Sequence, residues 1–486
     1  MPAGDSCHEA MWPAWTAIEG FVSKGGHEST QGCVLGVLIW PPLRRAGAVS
    51  DWGISGAVRS AGQEHPVRVR GGAGLRPACL AASDGPVPGS RRALLLLASA
   101  MLLAMTTWFS ATAVLPQLRT AWTLTTVQAS FLTIAVQVGF VAGALVSAFF
   151  NLADIIAART LMLVGALGAA AVNLLLVAVH SAGPAIGLRF LTGAFLAGVY
   201  PSGLKAMSAW FRAGRGTALG IMVGALTLGA AAPQFLNGIG GADWHTVIVA
   251  TSVLTVLGGL TARYLAADGP FPFPKAIFDP RQAASVMRNR AVRLAALGYF
   301  GHQWELYAMW AWIFAFSRAA FTANGQANPA RDAAFAAFAI IGSGAAGCWA
   351  GGILGDRWGR TRLTRLAMAL SGTCCVLIGP AARLGVAPMV AVAVFWGFWV
   401  VADSAQFSSI VTETSEQRYA GTAVTLQLAA GFTLTVVTIW LIPVVQQAVG
   451  WTWAFTVLAP GPLLGVVAMT RLLHAPEVRL IAGGRG

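Results

Sequence analysis

Arg189, His302, Glu305 and Asp403 are ionisable residues set inside segments that are otherwise almost wholly apolar. A charge in hydrocarbon is costly, so each is expected either to act on a solute or to be held by a neighbouring helix. His302 and Glu305 are three residues apart on one helix face, with Tyr299 a turn earlier on the same stripe. A His–carboxylate pair at that depth is suited to carrying a proton. Arg189 keeps its charge at physiological pH and suits an anionic solute or a carboxylate partner. Asp403 lies on a different segment, near Gln406, and Gln137, Gln427 and Trp108 are further polar positions that could line a cavity. For Arg189 and Asp403 a structural role stands beside the functional one, and His302 and Gln303 also read as polar residues bonded across helices. Glu305 is hardest to read as structural, whereas the aromatic run Trp304 to Trp312 reads as packing or interfacial anchoring.

Positioning these side chains falls to a helical membrane scaffold. The chain has 486 residues, 56% hydrophobic and only 10% charged, more apolar surface than a water-soluble fold could bury. Twelve apolar runs follow residue 91: 93–115, 126–149, 160–180, 184–205, 216–238, 245–265, 292–316, 333–354, 363–381, 387–411, 420–445 and 452–473. Each is long enough to cross about 30 Å of hydrocarbon as a helix. The alternating ten-residue segments of a membrane barrel are not seen. The net charge of +14 is unevenly placed. With the amino-terminal tail in the cytoplasm, inner connections hold fifteen Lys or Arg and outer ones four. That bias orients the chain with both termini cytoplasmic and leaves no case for a nucleic-acid partner.

The first ninety-one residues mix Gly, Arg, Pro and Ser without periodicity and read as a disordered extension or as translation from an upstream start. Cys7, Cys33 and Cys79 fall there; Cys348 and the adjacent Cys374 and Cys375 lie in apolar runs as packing residues, with no metal-ligand spacing. No Walker-type loop or nucleophile arrangement points to an enzyme or an ATP-driven pump, and no cofactor or metal is expected.

The halves repeat at an interval near 200 residues. Asp154 corresponds to Asp356, Gly193 to Gly397, and Gly216-Thr217-Ala218-Leu219 to Gly421-Thr422-Ala423-Val424. Six helices per half keep the repeats parallel. The expected divisions are 92–265 and 292–475 as six-helix bundles, 266–291 as a linker and 476–486 as a cytoplasmic tail. Between the eighth and ninth runs stands Gly352-x-Leu354-Gly355-Asp356-Arg357-x-Gly359-Arg360, on what reads as a basic loop over 351–365.

In this motif and in the six-plus-six pattern, residues 92–475 resemble the major facilitator superfamily, whose motif A the loop matches. Arg189-x-x-x-Gly193-x-x-x-x-Gly198-x-x-Pro201 is similar to its motif B, and the first-half loop keeps Asp154 and Arg159 but loses the glycines. The fifth run has Pro233 but no Gly-Pro pair, a departure from the motif C of drug antiporters. The resemblance implies an all-α fold of twelve transmembrane helices in two six-helix bundles with pseudo-two-fold symmetry. It also implies secondary active transport by alternating access, in a multi-pass protein of a bacterial cytoplasmic membrane, expected to act as a monomer. Asp356, Arg357, Gly359, Arg360 and Asp154 then form a conformational gate, with Asp356 at the start of the fifth helix near Gly216 and Asp154 at the start of the eleventh near Gly421. The expected solute is a small molecule, a small organic or inorganic anion among them, with protons as coupling ion. Export of a drug or metabolite, and a transporter-like sensor without net flux, are the alternatives.

Overall fold

The computed structural model describes residues 87–211, 214–240, 243–271, 287–416 and 419–486, all in the compact unit Ala81–Gly486. The tail before residue 87, the middle of the expected linker (272–286), and Arg212, Lys275, Arg281 and Arg418 lie outside the described residues.

Among the described residues, eleven helices are long and apolar enough to cross a membrane. They are α1 (Ser90–Thr107), α2 (Thr126–Phe149), α3 (Ala158–Ala178), α4 (Ala182–Ser208), α5 (Arg215–Ile239), α6 (Trp244–Leu265), α8 (Pro329–Trp358), α9 (Arg360–Leu384), α10 (Val386–Thr414), α11 (Ala420–Val449) and α12 (Trp451–Leu473). The expected twelfth, α7 (Arg290–Ala323), has 34 residues, long enough to span, but no membrane-length stretch of it is as apolar as those of the other eleven. Its Tyr299, His302, Gln303, Glu305 and Tyr307 are all buried against neighbouring helices.

Glycine sets the distances between helices, because with no hydrophobic drive between them in lipid, close backbone approach does the joining. Where α2 crosses α4, a Cβ on Gly139 would lie 1.8 Å from the Phe190 carbonyl oxygen, and one on Gly143 2.3 Å from that of Ala194. Where α8 crosses α10 the pattern recurs: Gly347 meets the Phe398 oxygen at 1.9 Å and Gly351 the Ala402 oxygen at 2.0 Å. The repeat read from sequence is thus a repeat of packing. Bundle α1–α6 joins bundle α7–α12 along α5 with α8 and α2 with α11. Down the first of these seams Gly216 faces Asp356, Gly220 the Cys348 oxygen, Gly224 Ala345 and Gly238 the Phe335 ring.

The stretch 351–365 is not a loop. Helix α8 continues through Trp358, Gly359 turns at φ 101°, and α9 begins at Arg360. A positive φ of that size favours glycine, so one residue makes the corner. The apolar pattern ended before the helix did because its last turn carries polar residues at the edge of the bundle. Helix α1 gives way to a 3-10 turn over Met105–Thr107, and α10 is interrupted at Asp403.

Candidate functional site

The break in α1 leaves carbonyls without the helical partners they would otherwise have, and in a membrane interior that deficit must be met by protein. Arg189 on α4 meets it. Its guanidinium donates to the oxygens of Thr107 (3.0 Å), Trp108 and Leu132 (3.4 Å), to Ser110 Oγ (3.2 Å) and to Asn173 Oδ1 (3.1 Å). Asn173 in turn donates to Ser252 Oγ at 2.9 Å and the Ile248 oxygen at 3.3 Å, tying α3 to α6. None of these acceptors is a carboxylate. Arg189 is fully buried as the bracket of its own bundle, and its donors are turned to these neutral oxygens.

Glu305 is a buried polar hub of the second bundle. Its carboxylate accepts from Trp396 Nε1 (2.6 Å) on α10, and from Ser371 Oγ (2.9 Å) and Cys375 Sγ (3.2 Å) on α9. The expected His302–Glu305 pair does not form. Although three residues apart on α7, the two side chains diverge, and His302 Nδ1 lies 2.9 Å from Asp403 Oδ1 at the interruption of α10. Both members of this pair are 2% exposed. The His302 ring stacks near Tyr299, whose hydroxyl accepts from Gln303, and lies beside Phe407.

Between the bundles, Tyr200, Tyr299, Gln303, Tyr307, Trp310, Ser404, Ser408 and Phe432 line a cavity of about 20 Å³. That is room for on the order of one water. Trp108 packs behind its wall, stacked on Tyr307 at 5.8 Å and near Phe140 and Phe432. Several buried polar atoms in this middle layer have no hydrogen-bond partner: Trp108 and Trp310 Nε1, Gln303 Oε1, and both amide atoms of Gln137 and Gln427. Buried polar atoms are ordinarily paired, which sets these apart; of them, Gln303 and Trp310 belong to residues lining the cavity. The α7 aromatics divide in use. Trp304 and Trp312 donate to the oxygens of Val457 and Ile439 as packing residues, while Tyr307 and Trp310 face the cavity.

At the basic end of the α5–α8 seam, Asp356 Oδ2 accepts from the amide of Thr217 at 3.2 Å and from its hydroxyl at 3.3 Å. A carboxylate at a helix amino terminus meets unpaired N–H groups and the positive end of the dipole. Arg360 stands 3.6 Å from Asp356 and donates to Gln406 Oε1 at 2.6 Å and to Glu413 at 2.9 Å. Gly359 supplies the corner; Arg357 is exposed. Asp154 departs from the expected symmetry. It does not seat on the start of α11 near Gly421; Lys205 of its own bundle takes its Oδ1 at 2.5 Å. Arg159 turns elsewhere too, to Asp268 at 2.5 Å, and this hydrogen bond holds the Asp268 carboxyl below the usual carboxylate range. A cation within reach on α4 wins over a helix end in the other bundle. At the far end of α5, Phe235 packs on Phe335 and Phe338 of α8.

Sequence reasoning missed Trp396, Ser371 and Cys375 as the cradle of Glu305, and Lys205 and Glu413 as ion partners. Glu413 follows Gln406 by seven residues on one helix, a spacing that puts both on the face toward Arg360. Nothing local signals the cradle, which three helices assemble.

No curated protein gave a match. The family model described as Major Facilitator Superfamily matches residues 97–433. With two glycine-packed helical bundles, a central cavity and a motif-bearing corner at their seam, this chain is a multi-pass membrane transporter belonging to the Major Facilitator Superfamily.

Proposed function

We propose that the chain is a proton-coupled secondary transporter in which the bundles rock about the central cavity, Asp356 latching the basic end, which faces the cytoplasm. The observation that supports this reading is the cavity itself: small, between the bundles, with unpaired buried polar atoms on Gln303 and Trp310 in its lining. The solute this lining suits is small, uncharged and flat, able to stack on Tyr307 and to bond with amide and indole edges. An anion is less well suited, since Arg189 already serves five neutral oxygens of its own bundle.

The proton carrier in this reading is His302 with Asp403. A proton taken up by the imidazole turns a buried lone carboxylate into a neutral ion pair, and its release restores the negative charge, so the pair's net charge follows the proton. Asp403 sits at the interruption of α10, beside cavity residue Ser404, so a change of charge there acts on the wall of the site. Reconstitution into liposomes and a solute screen, with and without an imposed pH gradient, tests the function. Flux of a neutral solute driven uphill by the gradient is expected, with Asp403→Asn retaining downhill exchange but losing the gradient's effect. Gradient-independent flux in the unaltered protein would remove the coupling, and solute binding without flux would favour a sensor.

A further inference from the structure

The corner between α8 and α9 is an awkward piece of backbone. One helix ends and another begins within a single glycine, so carbonyls at the end of α8 and amides at the start of α9 lack helical partners. Both kinds of orphan are met by residues 476–486. Arg485 Nη1 donates to the main-chain oxygen of Asp356, and the Gly486 oxygen accepts from the Thr361 amide at 3.3 Å. The fit is close: a Cβ on Gly359 would lie 2.1 Å from the Gly486 oxygen and 2.4 Å from that of Arg485. The same segment reaches the ion network behind the gate, where the Ala482 amide donates to Glu413 Oε2 at 2.9 Å while Arg360 donates to both oxygens of that carboxylate. Ile481 anchors it, fully buried in the apolar cluster that includes Val292, Ile410 and Leu472.

The segment expected as a cytoplasmic tail is therefore stitched to both sides of the corner that presents Asp356. We propose that residues 476–486 are a positioning element of the gate: they hold the α8–α9 corner in the form that lets Asp356 reach Thr217, and so favour closure of the basic end. Asp356 makes the bond between bundles; Arg485, Ala482 and Gly486 fix where its backbone stands. A carboxylate must sit within a few tenths of an ångström to accept from both the amide and the hydroxyl of Thr217, and a corner released from its strap loses that alignment.

This inference rests on Asp356 being the gate, and its test separates the two. Spin labels at Ala267→Cys and Leu366→Cys, exposed positions on different bundles at the basic end, report the gate as a distance by pulsed dipolar spectroscopy in full-length protein with its other cysteines replaced. Asp356→Asn is expected to add a longer-distance population. Removal of 476–486 is expected to raise the open-to-closed ratio about tenfold, Arg485→Ala about threefold, and Arg485→Lys to restore the unaltered distribution, because one ammonium can serve one carbonyl. Tail variants that match the unaltered protein while Asp356→Asn opens the gate overturn the strap. An unchanged distance in Asp356→Asn overturns the gate and the strap together. Should the deletion fail to fold, the two Arg485 variants, which touch only an exposed side chain, still distinguish a strap from a free tail.

Discussion

Arg189 donates to the carbonyls at which α1 breaks, and the turn that follows places Trp108 against Tyr307 behind the cavity wall. The bracket and the site are therefore one piece of construction. Arg189→Met takes the donor from the Trp108 oxygen and leaves the Thr107 oxygen and Asn173 Oδ1 to share the one Ser110 hydroxyl, so unmet buried acceptors cost on the order of 2–3 kcal/mol. Arg189→Lys is expected to recover little, since one ammonium cannot reach oxygens on α1, α2 and α3 together. Thermal unfolding of the purified variants checks this, and a melt like that of the unaltered protein in either would contradict it. That these ionisable residues lie in apolar runs was legible in the sequence; what each one touches was not. His302 and Glu305 share a stripe of α7, yet their partners come from α10 for one and from α9 and α10 for the other. Spacing along one helix says which face a side chain leaves from, and the neighbouring helix decides where it ends.

At the scale of helices, the glycines that let α8 lie on α10 carry a prediction of their own. Gly347→Val would put carbon within 1.9 Å of the Phe398 oxygen, so this variant should fail to give monodisperse protein. Gly187→Ala, where nothing lies within 4 Å, should purify as the unaltered chain does. Size-exclusion profiles of the two distinguish packing from mere intolerance of change. The apolar runs were readable because lipid demands them, and eleven of the helices answer to length and apolarity alone. Helix α7 was readable as a run too, but its polar stripe sets it apart for the same reason it matters: it faces the cavity. The corner at Gly359 escaped notice, since apolar periodicity stops where a helix leaves hydrocarbon and not where it ends.

For the whole molecule, the two seam ends divide the work. At one end Asp356 bonds Thr217; at the other Phe235 packs on Phe335 and Phe338, and the cavity between has room for little more than a water. In the transport cycle proposed above, contacts at both ends make this an occluded form. The first-half counterpart, Asp154, is held within its own bundle by Lys205, so in the proposed gate the bond between bundles comes from Asp356 of the second half. The duplicated motif was read as two contacts between bundles; Asp356 makes one, while Asp154, whose stretch lacks the glycines, is taken by Lys205. Alternating access requires the two ends to move in opposite senses, which two label pairs on the same protein measure directly. One pair, Ala267→Cys with Leu366→Cys, reports the basic end; the other, Ala121→Cys with Ala327→Cys, takes exposed positions at the opposite end. The account predicts that Asp356→Asn lengthens the first distance and shortens the second. Two distances that rise together, or a second that stays fixed while the first opens, would contradict it.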